Sequence, residues 1–194
     1  MQSKLSIVEI KRRLINGIIA GMVASLAMAM VAMLASSTYM HKGFFTPLYF
    51  ISSVFGSTTA LMESVKQTAL GNAFWFDTSA ALLGALVHMI TAAMFGALFF
   101  LIVPKLSKSL VLGTGIVFGL VVAAFSGFIA LPIAGSLSGA GSTLSNMANI
   151  VGWGTWALEH AVYGMSLGIL YPLFKLSVPS LGSTENRKVA SAHQ

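Results

Sequence analysis

Two histidines lie inside long apolar stretches, and one of them stands next to a carboxylate. His88 is in ALLGALVHMITAAMFGALFFLIVP, and His160, preceded by Glu159, is in WALEHAVYGMSLGILYPLF. A glycine follows each histidine eight residues later, Gly96 and Gly168. An ionisable side chain in hydrocarbon costs roughly 2.5–3.5 kcal/mol, so a chain that keeps one has a use or a partner for it. Four chemistries fit this set. The first is a buried hydrogen-bond network in which neutral histidines fix helix register. The second is bis-histidine ligation of haem b by His88 and His160, with nearby glycines making room for the macrocycle. The third is a metal ion held by His88, His160 and Glu159, a 2-His-1-carboxylate set. The fourth is proton handling by Glu159 and the histidines. The polar strip Thr155, Glu159, Tyr163 and Ser166 runs beside the histidine, and Glu159 and Tyr163, four apart, are placed to hydrogen-bond.

Other chemistries lack residues. There are 5 acidic residues, and only Glu159 is well inside an apolar run. No cysteine exists, which excludes disulfides and thiolate sites. The chain carries no P-loop, GxGxxG, HExxH or GxSxG, so hydrolase and transferase machinery is missing and no enzyme activity is expected. Of 11 methionines, Met22, Met28, Met30 and Met33 cluster in the first apolar run, with Met40-His41 beyond it. Thioethers suit Cu(I), but they also fill gaps beside glycines, and no repeated ligand spacing is present.

The elements that must position these groups are membrane helices. The chain of 194 residues is 56% hydrophobic and 8% charged, far below the roughly 25% charge of soluble domains. Four runs are long enough to span about 30 Å of hydrocarbon, near Leu14–Ser36, Thr78–Val103, Ser109–Ala134 and Gly152–Phe174. The net charge of +6 is not a nucleic-acid signal, because the basic residues sit at segment ends. Of 11, only Lys42 and Lys66 fall in the loops assigned outside. Lys4, Lys11, Arg12, Arg13, Lys105, Lys108, Lys175, Arg187 and Lys188 fall on the other side. This bias places both termini in the cytoplasm. The basic N-terminus and first apolar run resemble a signal peptide, but the run is too long and lacks a clean cleavage site, so it is expected to stay.

The link PKLSKS reads as a tight cytoplasmic turn, and GSLSGAGSTLSNMAN as an external loop. Trp75, Trp153 and Trp156 read as interfacial anchors, and Asp77 as a favourable charge at a helix start. The semi-apolar segment 40–77 is expected to lie in the outer interface or to fold over the mouth of the bundle, with a short amphipathic helix over Leu61–Gln67.

A duplication runs through the four segments. Gly17, Gly21, Ser25 and Ala29 in the first match Gly115, Gly119, Ala123 and Gly127 in the third. Ala80, Gly84, His88, Ala92 and Gly96 in the second resemble Gly152, Trp156, His160, Gly164 and Gly168 in the fourth. Two similar hairpins follow, and their pseudo-twofold symmetry puts His88 and His160 at matching depth. Stripes of small residues give the close backbone approach that lipid-embedded helices need.

These patterns resemble the small four-helix membrane proteins of bacteria and archaea of the YagU type. The resemblance rests on LGALVHMITAAMFGALF, the PK turn, LGTGIVFGLVVAAFSGFIALPIAG and LEHAVYGMSLGILYP, and covers about residues 17–172. It implies a fold and a location, with a recurring histidine in the second and fourth helices, here His88 and His160; it implies no reaction. Glu159 and the methionine-rich first helix depart from the pattern. The expected protein is all-α: a polytopic four-helix bundle of two hairpins in the cytoplasmic (inner) membrane, non-enzymatic, an accessory component of a larger membrane complex. A haem- or metal-binding protein and a small proton-linked transporter are the alternatives.

Overall fold

A computed structural model describes residues 7–103 and 106–176. These residues are mostly helical, with no strand among them. In chain order the helices are α1 (Ile7–Ser37), α2 (Thr46–Ser52) running into a 3-10 turn (Ser53–Phe55), α3 (Thr59–Ala69) and α4 (Thr78–Ile102). There follow α5 (Lys108–Phe125), a π turn (Ser126–Ala130), α6 (Leu131–Leu137), α7 (Ser142–Ser145), α8 (Met147–Val151) and α9 (Trp153–Leu176). By length and composition three of these stretches can cross a membrane: Ile7–Ser37, Thr78–Ile102 and Ser109–Leu137. The fourth expected span corresponds to α9, which is outside that set. Glu159 and His160, with interspersed Gly, Trp and Tyr, dilute its apolar character.

The third run is one long helix with a widened turn. Pro132 has no N–H to give to the carbonyl four residues back, and its ring crowds that turn; the π turn just before it absorbs both effects. Pro104 and Lys105 of the expected turn lie outside the described residues. The Gly/Ser-rich stretch after α6 is more ordered than a loop, since α7 and α8 form within it.

The long helices meet where side chains are missing. A Cβ on Gly17 would lie 2.6 Å from the Gly96 carbonyl oxygen and 2.7 Å from the Ala97 Cα, and one on Gly21 would fall on the Ala92 carbonyl, so α1 lies directly on α4. In the same way Gly115 rests on the Gly164 carbonyl and Gly119 on that of His160, which seats α5 on α9. A Cβ on Gly168 would come within 2.9 Å of the Leu112 Cα. Gly127 makes room for the Trp153 ring, which stacks on Phe128 at 4.5 Å.

Two clusters fill the interior. Phe99, Phe100, Tyr163, Leu167 and Tyr171 form one, in which the Phe99 ring lies 5.1 Å from that of Phe118. The other gathers Leu48, Tyr49, Phe50, Leu61, Leu144, Met147 and Trp156. The segment 40–77 folds back over the helices. Gly84 has no side chain, and there the Leu48 carbonyl of α2 rests on α4. Tyr49 is fully buried; its hydroxyl donates to the Trp75 carbonyl at 3.3 Å and accepts from the Asp77 N–H at 2.9 Å. Burial pushes the Tyr49 phenol above its ordinary pKa. Asp77 caps α4 by accepting from the Ala80 N–H at 2.8 Å. The amphipathic stretch Leu61–Gln67 is inside α3, with Leu61 and Ser64 buried.

Candidate functional site

Between the two interior clusters is a chamber of about 640 Å³. Its lining includes Met28 and Met33 of α1, Leu48 and Phe50 of α2, and His88 and Phe95 of α4. From the far side come Ser126 and Ala130 of the π turn and Trp156, Glu159, His160 and Tyr163 of α9. Five methionines reach it: Met28, Met33, Met40, Met94 and Met147. The walls are otherwise mostly apolar. All three residues singled out for chemistry, His88, His160 and Glu159, therefore face one space, along with α2, whose role the sequence left open.

The hydrogen bonds at this chamber have a one-sided pattern. Three of the lining hydroxyls give their protons to backbone carbonyls: Ser36 to Gly43 at 2.7 Å, Thr91 to Val87 at 2.9 Å and Tyr163 to Ala92 at 2.6 Å; Thr46 shares a bond of 2.8 Å with the Ser64 hydroxyl. The Trp156 indole N–H donates to the Ala123 carbonyl at 3.0 Å. His160 donates from Nδ1 to the Trp156 carbonyl at 2.8 Å, and His88 from Nε2 to the Ser25 carbonyl at 3.1 Å. A carbonyl can only accept, so each neutral imidazole keeps its other nitrogen, His160 Nε2 or His88 Nδ1, as a free acceptor. No buried side-chain nitrogen or oxygen among the described residues is sealed without a partner, so these free nitrogens open onto the chamber. Glu159 is 5% exposed and, among the described residues, has no hydrogen-bond or ion-pair partner; its carboxyl opens onto the same space. Tyr163, expected to bond Glu159, reaches across to α4 instead, because its ring spans the gap to the Ala92 carbonyl.

The two histidines are not equivalent. Packing matches Gly17–Gly96 with Gly115–Gly164, and Gly21–Ala92 with Gly119–His160. In this register His160 corresponds to Ala92, and His88 corresponds to Trp156. The hydrogen bonds agree, since His88 binds the Ser25 carbonyl as Trp156 binds that of Ala123. The register expected from the histidines is thus off by four residues, about one turn and about 6 Å along the helix at 1.5 Å per residue. Trp156, expected at the interface, is 5% exposed and lies 4.5 Å from the His160 ring. It is buried because it holds the internal position that His88 holds in the other half.

This geometry weighs on the cofactor readings. Metal-ligating imidazoles usually donate one N–H to a carbonyl and ligate through the other nitrogen, and His160 has that arrangement with Nε2 free. His88 has it reversed, with Nε2 engaged by Ser25. Among the described residues no three His, Cys, Asp or Glu side chains are grouped to hold a metal ion. Adjacent residues on a helix diverge by about 100°, so Glu159 and His160 address the chamber from different angles.

The chamber has two differing ends and an open side. The aromatic cluster around Phe99 and Tyr171 fills one end, and the Tyr171 hydroxyl reaches the Val103 carbonyl at 3.3 Å. At the α2 end Lys42 donates to the Ile150 carbonyl at 3.2 Å and lies 5.7 Å from the Phe50 ring centroid. Burial lowers the Lys42 pKa from its ordinary value. There too the Tyr39 hydroxyl and Thr155 Oγ1 share a hydrogen bond of 2.7 Å that ties the turn after α1 to α9. Between α4 and α5 the wall is thin. Phe95 and Phe125 meet edge-on at 6.2 Å, and the lining residues Met94 and Leu98 are 68% and 45% exposed. No protein-family model, curated protein or solved structure matches the chain.

Proposed function

We propose that this chain is a non-enzymatic integral membrane protein that binds a membrane-soluble small molecule in the chamber between its helices. Four spans in two similar hairpins, with both termini in the cytoplasm and a YagU-like kinship, are part of the same proposal. The three long apolar helices and the placement of the basic residues support it. With this orientation α2 and Lys42 cover the outer end, and the Phe99–Tyr171 cluster closes the inner one.

The chamber carries the reading. Ligand sites are concave and mostly apolar, about 300–1,000 Å³, with a few convergent polar groups. A space of 640 Å³ that receives Glu159, His88 and His160 has those properties. The glycine stripes of the long helices are largely occupied by one another within the chain, so we place function in the chamber.

The test is binding of the neutral fluorophore N-phenyl-1-naphthylamine to the protein in mild detergent, compared with an Ala29→Trp variant that fills the chamber wall. Saturable fluorescence in the native chain and its loss in the variant are expected. Equal signals from the two, or none beyond protein-free micelles, would refute the proposal. Topology is tested separately by single cysteines, since the chain has none of its own. An impermeant maleimide applied from outside should label Lys66→Cys and spare Lys11→Cys.

A further inference from the structure

We propose that the chamber selects lipophilic organic cations, holding the positive centre between the Glu159 carboxyl and the free ring nitrogens of His88 and His160; this rests on the binding function proposed above. The lining is rich in electron pairs and poor in protons to donate. The hydroxyls of Ser36, Thr91 and Tyr163 and the Trp156 indole N–H are spent on the backbone carbonyls of Gly43, Val87, Ala92 and Ala123, and the Thr46 hydroxyl is paired with that of Ser64. What is left facing the space is mostly acceptor: His88 Nδ1, His160 Nε2 and the unpartnered Glu159 carboxyl, against the single hydroxyl of Ser126. The aromatic faces of Phe50, Phe95 and Trp156 and the sulfurs of the five methionines add weak negative potential. A neutral guest can at most hydrogen-bond to these acceptors and an anion repels an ionised Glu159, whose unpaired buried charge is costly. A cation answers them together.

The charged and titratable groups on the lining are few. Glu159, His160 and the Tyr163 phenol come from α9, His88 from α4, and Lys42 from the link between α1 and α2. Lys42 is the one basic side chain other than the histidines among the lining residues. Its ammonium is at the α2 end, directed at the Ile150 carbonyl and the Phe50 ring. Glu159 is about 9 Å along α9 from Trp153 at 1.5 Å per residue, towards the middle of the helix. The size of the space speaks for an organic guest, since a bare metal ion needs ligands at about 2.0–2.6 Å. The thin wall at Met94 and Leu98 gives such a guest access from the bilayer without crossing water.

Tetraphenylphosphonium and tetraphenylborate share size and shape and differ in the sign of their charge. Equilibrium dialysis of the full chain in detergent, corrected for protein-free micelles, should show the phosphonium binding at least tenfold more tightly than the borate. Glu159→Gln should weaken phosphonium binding at least fivefold, while Glu63→Gln on α3 leaves it unchanged. Retained N-phenyl-1-naphthylamine binding shows that the Glu159→Gln variant is folded. Equal or tighter binding of the borate, removed by Lys42→Gln, would overturn the proposal and mark an anion site. Unchanged phosphonium affinity in Glu159→Gln would also overturn it. If the neutral fluorophore binds and neither ion does, charge selection fails and the binding chamber stands; if the fluorophore fails as well, the chamber reading itself fails.

Discussion

Gly113 and Gly115 are two residues apart on α5 and should respond oppositely to the same added methyl group. A Cβ on Gly113 meets nothing within 4 Å, whereas one on Gly115 would lie 3.1 Å from the Gly168 nitrogen and 3.2 Å from the Gly164 carbonyl carbon, and closer still to the Gly164 oxygen. Comfortable contact begins at about 3.5 Å. All three neighbours are backbone of α9, so no side chain can rotate away and the helices must part. Overpacking of this kind costs about 1–3 kcal/mol. Both substitutions gain the same helix propensity, about 0.8–1.0 kcal/mol, so it cancels in the comparison. Gly113→Ala should therefore be stabilising, and Gly115→Ala should fall below it by about 1–3 kcal/mol. At about 2–4 °C per kcal/mol for a chain of this length, the gap reads as several degrees in Tm. Thermal unfolding in detergent, followed by tryptophan fluorescence, measures it. Coincident melting curves, or a Gly115→Ala variant the more stable of the two, would refute the close α5–α9 contact. That contact matters more here than in a soluble protein, because lipid supplies no hydrophobic drive between helices.

Other outcomes follow from the same geometry. Trp156→Phe removes the N–H donated to the Ala123 carbonyl and should lower stability by about 0.5–1.5 kcal/mol; an unchanged Tm in detergent would contradict the one-turn register between the halves. Glu159→Leu, by removing a buried carboxyl with no partner among the described residues, should raise Tm while Glu159→Gln leaves it close to native; a large loss in the leucine variant would mean that the carboxyl is paired. Burial lowers the pKa of Lys42, so below 10.5 the unfolded chain holds this proton more readily than the folded one. Its contribution to stability should then rise with pH through the window ending at 10.5. Relative to Lys42→Met, the native chain should gain Tm over that window, and a constant gap in a pH series of melting curves would show that Lys42 is not buried.

Much of the scaffold was open to inspection in the sequence, because helix formation and lipid compatibility are local properties. Apolar runs of sufficient length gave α1, α4 and the long helix of α5 and α6, and the 3.6-residue pattern gave α3 within segment 40–77. The polar candidates were equally visible, since His88, His160 and Glu159 are ionisable groups inside apolar helices. The π turn had one signal, Pro132, that could have located it.

What tertiary structure alone decided was register and direction. Small residues recur at four-residue spacing along the long helices, interrupted by His88 in α4 and by Trp156 and His160 in α9, so a slide of one turn still sets small residues against small residues at most positions. Sequence comparison aligned the two histidines for want of any other landmark. Packing aligned His88 with Trp156, because only that register lets the backbones of Gly17 and Gly96, and of Gly115 and Gly164, touch. The folding of α2 over α4 depends on the Leu48 carbonyl finding the bare backbone of Gly84, a contact between residues far apart in the chain. Which ring nitrogen of each histidine stays free, and the absence of a partner for Glu159 among the described residues, depend on carbonyls supplied by other turns and other helices. The types of the groups that could act were fixed by the sequence. The acceptor-lined chamber they share exists only because the helices meet in one register among several that the sequence pattern allows.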